Sequence, residues 1–83
     1  MAYIVRVSLT YNTTQNATTA TTNINTELAN RGRAEQATRN GTTVSLAIDD
    51  IASQADAVAL RNALTSAWSA GPRTAGKASV QLV

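Results

Sequence analysis

The residue types that most enzymes use for proton transfer or nucleophilic attack are largely missing from this sequence. Its 83 residues contain no cysteine and no histidine, so a thiol nucleophile, an imidazole base and a Cys/His metal site are excluded. The only adjacent carboxylates, Asp49-Asp50, directly precede a predicted helix, whose positive N-terminal end favours acidic side chains. We therefore predict no catalytic residue, no metal site and no cofactor.

Three cations are the candidate contacts for an anion. Arg39, Arg73 and Lys77 fall toward one end of the predicted sheet, but the chain carries only seven basic and five acidic residues, a net charge of +2. Dedicated nucleic-acid binders usually show clustered Lys and Arg, and here these residues are scattered. A weak nucleic-acid-binding accessory protein is therefore the alternative prediction rather than the first.

The elements that must position these residues include three strands with a period of two. Residues 3–11 place Tyr3, Val5, Val7, Leu9 and Tyr11 on one face, and residues 43–48 and 75–83 alternate in the same way. Such alternation predicts strands with one buried face and one polar face.

Two helices are expected between the strands. The apolar spacing of Ala17, Ala20, Ile24 and Leu28 predicts a first helix from about Asn16, ended by Gly32, despite many threonines. A second helix begins at a capping sequence, Ser53 to Asp56, and Gly71-Pro72 ends it.

The segment from Arg33 to Arg39 has two interpretations. Asn40-Gly41 is typical of a type I′ hairpin turn, which would make 33–39 a polar edge strand with Ala37 opposite Val44 and Glu35 opposite Leu46. Alternatively, the first helix continues through residues 35–37, giving a β-α-β-α-β chain with three strands.

The preferred element order, β-α-β-β-α-β, predicts a single α+β domain over residues 1–83. Because each strand is apolar on one face only, we expect two layers, with both helices on one face of an antiparallel sheet. This arrangement resembles the ferredoxin-like fold with strand order 4-1-3-2. We also expect Asp49 and Asp50 to meet Arg31 and Arg33 as surface ion pairs.

Two known uses of this fold lack their residues here. Acylphosphatase-like enzymes carry glycine and arginine in the loop after the first strand, which here reads Tyr11-Asn12-Thr13-Thr14. RNA-recognition domains stack bases on aromatic residues of the central strands, whereas the two tyrosines, Tyr3 and Tyr11, fall on the predicted core face. An acylphosphatase-like enzyme is therefore the least favoured reading, and the function stays open.

Self-association is the first-choice prediction. Alanine supplies 16 residues, as many as Leu, Ile and Val combined, so the core of this short chain is expected to be weak. The last strand is an edge with little protection, which predicts a homodimer or higher homo-oligomer through that edge or the open sheet face. The edge residues are Lys77, Ser79, Val80, Gln81, Leu82 and Val83. With no signal peptide and no apolar span, a cytoplasmic protein without membrane contact is expected.

Overall fold

A computed structural model describes residues 2–68 and 73–82 of the chain. The elements are β1 (Tyr3–Tyr11), α1 (Thr14–Asn30), β2 (Thr38–Asn40), β3 (Thr43–Ile51), α2 (Gln54–Ala67) and β4 (Arg73–Leu82). The strands form one antiparallel sheet in the order β2-β3-β1-β4. The predicted ferredoxin-like α+β arrangement and its strand order are therefore confirmed.

The core lies between the sheet and the two helices. Every odd residue of β1 from Val5 to Tyr11 is buried, as its alternation predicts. The Tyr11 hydroxyl donates a hydrogen bond to the Trp68 carbonyl just after α2, which ties the far end of β1 to the helix layer. The other main contributors are Ala17, Ala20, Ile24, Leu28, Val44, Leu46, Ile48, Ala57, Leu60 and Leu64.

Helix α1 is stabilised by its buried stripe, while its threonine side chains form hydrogen bonds within the helix. It begins at Thr14, slightly earlier than predicted, because the Thr13 side chain caps it by accepting from the Asn16 amide at 3.1 Å. Five threonine hydroxyls donate to the carbonyl four residues earlier, a bond that slightly destabilises a helix, so the packing of the buried stripe must hold α1 together. These are Thr18, Thr19, Thr21, Thr22 and Thr26.

Glycine ends α1 as predicted. Gly32 has a φ of +72°, and its amide donates to the Ala29 carbonyl while the Arg33 amide donates to that of Leu28. This pair of bonds is the Schellman motif, which favours glycine because its left-handed residue has no Cβ to clash. The chain then turns toward β2.

Helix α2 begins as the capping sequence predicts. The Ser53 hydroxyl accepts from the Asp56 amide at 3.1 Å, and Ala57, Leu60 and Leu64 form the buried stripe. The helix extends to Ala67, whereas the predicted stop at Gly71-Pro72 lies outside the described residues. β4 begins at Arg73, two residues before the predicted Ala75.

The prediction for the central hairpin is wrong in its register. Arg39 lies opposite Val44 and Asn40 opposite Thr43, so the two turn residues are Gly41 and Thr42. Only Gly41 has a positive φ, +63°, which matches a type II′ turn rather than the predicted type I′ turn. Pairing therefore shifts by two residues along the second strand, and Ala37 does not face Val44.

The second strand is also much shorter than predicted. It spans Thr38–Asn40, while residues 33–37 form neither strand nor helix, so the alternative of a longer first helix is wrong as well. The Ala37 amide, which would serve a strand, instead donates to the Asn25 side-chain oxygen at 2.7 Å. Because Ala37 is buried under α1, this bond keeps its amide satisfied.

Candidate functional site

The outer edge of β4 is the longest unpaired strand edge in the described part of the chain. β4 spans ten residues and pairs with β1 on one side only, since it is the last strand in the sheet order. Of the residues predicted to self-associate, Lys77, Gln81 and Leu82 are exposed, and Ser79 and Val80 are half-buried. Val83 lies outside the described residues.

Leucine 82 makes this edge apolar at its end. It is 54% exposed and is the only exposed large hydrophobic residue in residues 2–68 and 73–82. Its partner across β1 is Tyr3, and the next core-face pair is Val5 with Val80. Because Val80 is also half-buried, the helix layer leaves apolar surface uncovered at this corner of the sheet.

The opposite edge is built differently. β2 pairs only with Thr43, Val44 and Ser45, so the rest of β3 has no strand beside it on that side. A bulge also interrupts β3, because Val5 faces Ile48 but Tyr3 faces Ile51. Bulges are a common device against edge-to-edge pairing.

An arginine links the segment after α1 to β3 beside this interrupted edge. The Arg33 guanidinium donates to both Glu35 carboxylate oxygens, at 2.9 Å from Nε and 2.6 Å from Nη2, and also to Asp50 within the bulge. The predicted ion pair between Arg33 and Asp50 is therefore confirmed. Arg31 instead pairs with Glu27, one turn earlier on α1, at 3.0 Å.

This arginine network shifts the pKa values of Glu35 and Arg33. The hydrogen bonds from Arg33 hold the pKa of the Glu35 carboxyl below its ordinary value, against a smaller opposing effect of burial. Hydrogen bonds to Glu35 and then to Asp50 raise the pKa of the Arg33 guanidinium. The groups thus remain an ion network near neutral pH, as suits a structural clip.

The acidic pair lies elsewhere than predicted. Asp49 and Asp50 are residues of β3 at the bulge, whereas the acidic residue in the first turn of α2 is Asp56. The interpretation that they serve the helix N-terminus is therefore wrong, and their place in the bulge explains why Asp50 reaches Arg33. No group of three or more metal-ligating side chains occurs in the described residues.

The open face of the sheet carries short polar side chains around two cations. Along β1, Arg6 pairs with Ala47 and Ser79, and Ser8 pairs with Ser45 and Lys77. An open cavity of about 320 Å³ covers the β4 side of this face, and its lining is Arg6, Ser8, Lys77, Ser79 and Gln81. As predicted, none of these residues is aromatic.

The structure does not bring the predicted anion contacts together. Arg39 lies on β2 and Lys77 on β4, at opposite edges of the sheet, about 14 Å apart at the usual strand spacing. Their rows differ too, because Arg39 aligns with core-face Val44 and Lys77 with open-face Ser8. Arg73 pairs with Tyr11 at the start of β4.

The cation beside Lys77 is Arg6, which is not among the predicted anion contacts. The two lie on diagonal positions of neighbouring strands, since Arg6 faces Ser79 and Lys77 is two residues before Ser79. The register between β1 and β4 brings Arg6 next to Lys77. The alternation of apolar and polar residues in each strand does not determine that register, so the sequence alone did not predict the pair.

The helices of the described residues include none that is long and apolar enough to span a membrane. Comparisons with protein-family models, with curated proteins and with solved structures found no match to this chain. The surfaces that bear on its function are therefore the two sheet edges and the open face.

Proposed function

We propose that this chain is a non-enzymatic interaction module that assembles with a second copy of itself through the outer edge of β4. The observation that carries the proposal is the unpaired edge of a ten-residue strand ending in an exposed leucine. Unpaired backbone amides and carbonyls along such an edge are a template for another strand. A copy of the same strand can satisfy them.

The weak core supports the same conclusion. Of the 17 buried hydrophobic residues, four are alanines, Ala17, Ala20, Ala37 and Ala57, and alanine contributes little apolar area. Small domains with limited cores commonly gain stability from association. Burying Leu82 and Val80 at an interface would add apolar contact where the helices leave it exposed.

Charge favours one alignment of the two β4 strands. Pairing with Lys77 opposite its own copy would place like charges together, which is unfavourable. Antiparallel pairing centred on Ser79 instead sets Lys77 opposite Gln81 of the second copy. It also sets Leu82 opposite Gly76, whose missing side chain leaves room for leucine.

A single introduced cysteine tests this alignment, because the chain has none of its own. In the Ser79→Cys variant the two thiols would face each other, with Cα atoms about 4.5–5.5 Å apart, a separation that a disulfide spans. We expect mild oxidation to produce a covalent dimer. Thr38→Cys, on the short strand at the opposite edge, is the matched control and should stay monomeric on denaturing gels.

Two results would count against the proposal. Equal cross-linking of both variants would indicate random collision rather than an interface at β4. No cross-linking of Ser79→Cys in a sample that scatters light as a dimer would overturn the alignment, and the same result in a monomeric sample would overturn the edge itself.

A further inference from the structure

We propose that the open face binds the phosphodiester backbone of nucleic acid, with Arg6 and Lys77 each contacting a phosphate. The site shares Lys77, Ser79 and Gln81 with β4, but strand pairing would use the backbone groups of the edge, so it would leave the open face accessible in both copies. The inference therefore does not depend on self-association.

The geometry brings two cations and several hydrogen-bond donors into one cavity. Diagonal positions on neighbouring strands lie about 7–8 Å apart, close enough for long side chains to reach a common ligand. The Ser8 and Ser79 hydroxyls and the Gln81 amide line the same cavity of about 320 Å³. Hydroxyl, amide and guanidinium groups are the usual contacts to phosphate oxygens.

The two cations are also uncompensated. Neither Arg6 nor Lys77 makes a side-chain hydrogen bond or an ion pair within the described part of the chain, and the cavity between them has no carboxylate in its lining. Glu35 shares a neighbouring cavity with Arg6, but its carboxylate is held by Arg33 at 2.6 Å. Asp49 follows Ala47, the β3 partner of Arg6, by two residues and forms no ion pair with Arg6 among the described residues.

The surroundings favour backbone contacts over base recognition. Stacking of bases on a sheet requires aromatic side chains, and Tyr11 is buried in the core while Tyr3 belongs to the same core-facing row. A ligand recognised through phosphates alone should bind without sequence preference and weaken steeply with salt. Two phosphate contacts correspond to a log–log salt slope of about −1.4 for a single strand.

Fluorescence anisotropy with labelled oligothymidylate and oligoadenylate of equal length tests the site. We expect similar affinities for both, a slope of about −1.4, and a slope of about −0.7 for Arg6→Gln. Arg61→Gln removes the same charge from α2 in the helix layer and should bind like the native chain. Asp49→Asn should bind more tightly, because it removes a carboxylate near Arg6.

Several results would overturn the inference. Equal weakening by Arg6→Gln and Arg61→Gln would mean that net charge alone attracts the oligonucleotide. Absence of binding at about 20 mM salt would exclude a backbone site. If inorganic phosphate changes the NMR chemical shifts of the cavity residues while no oligonucleotide binds, the cavity is a site for a small phosphate. That result would overturn the proposal of a nucleic-acid ligand. Light scattering on the same samples shows whether the mass changes, which separates this test from that of self-association.

Discussion

The two edges of the sheet differ in how well they are protected against pairing with another strand. At the β2–β3 edge, a strand of three residues, a bulge and the Arg33 network leave little regular backbone to pair. At the β4 edge, ten residues run to an exposed leucine, and residues 75–82 carry one charge, Lys77. The first edge is protected against another strand, whereas the second leaves its outer backbone groups without a strand partner in the described residues.

Within this one small sheet, the β2–β3 edge is protected against strand pairing and the β4 edge is not. Arg33 is three-quarters buried and engages two carboxylates from different segments, while nothing comparable covers Lys77 in the described residues. We take the contrast as the reason to place the interface at β4.

Adding a charge to the β4 edge should have the largest effect. Ser79→Lys would set two lysines opposite each other at the centre of the proposed interface. We expect the dimer dissociation constant to rise at least tenfold, or about 1.4 kcal/mol. Analytical ultracentrifugation over a concentration series measures it.

The matching substitution at the other edge is Thr38→Lys, on exposed β2. Its association should equal that of the native chain. If Thr38→Lys dissociates the dimer as strongly as Ser79→Lys, the two edges are not distinct and the comparison fails.

Removing the Arg33 network should destabilise the fold without affecting assembly. Arg33→Gln leaves the Glu35 and Asp50 carboxylates without their shared cation, so we expect the free energy of unfolding to fall by about 1 kcal/mol. Arg31→Gln, which removes only the exposed pair with Glu27, should lower it by less than about 0.5 kcal/mol. Urea denaturation at equal protein concentration compares them, and an equal loss in both would show that the network adds nothing beyond a surface pair.

Shortening the exposed leucine should produce a smaller change, confined to assembly. In Leu82→Ala both copies lose exposed apolar surface from the proposed interface, about 0.5 kcal/mol each, which predicts roughly fivefold weaker association. Monomer stability should hardly change, because Leu82 is 54% exposed. A drop of more than about 2 kcal/mol in unfolding free energy would instead mean that the residue belongs to the core.

The weakest expected effect is the pH dependence of stability that the Arg33 network produces. Since folding lowers the pKa of Glu35, its contribution is complete above the unfolded value of roughly 4.3 and is lost as pH falls through the folded value. The urea midpoint of the native chain should therefore decline more between about pH 5 and pH 3 than that of Arg33→Gln. Identical declines would show that the Arg33 hydrogen bonds do not couple to stability.

The sequence was sufficient to predict the architecture, because the signals for it are local. The alternation of β1, the Ser53 cap and the left-handed Gly32 each depend on residues within one turn or strand. The hairpin register was missed because the pairing of residues 33–37 that an Asn40-Gly41 turn implies competes with their contacts to α1. That competition is settled by tertiary contacts such as the bond from Ala37 to Asn25.

The candidate surfaces were predictable to different degrees. The C-terminal strand has few charged residues to protect its edge, and this is visible in its residue types, so the β4 edge could be proposed from sequence. The neighbouring positions of Arg6 and Lys77 depend on how strands far apart in the chain align, and the link from Arg33 to Asp50 depends on a bulge. Neither feature has a local pattern that predicts it.

The measurement that tests self-association most directly is the mass of the native chain across a hundredfold dilution. Light scattering at neutral pH and moderate salt should report twice the chain mass of 8.7 kDa at the highest concentration, falling toward the single-chain value on dilution. Ser79→Lys should reach the single-chain mass at a concentration at least tenfold higher than the native chain does. A folded native chain that remains at the single-chain mass at every concentration would contradict the proposal that β4 is an interface.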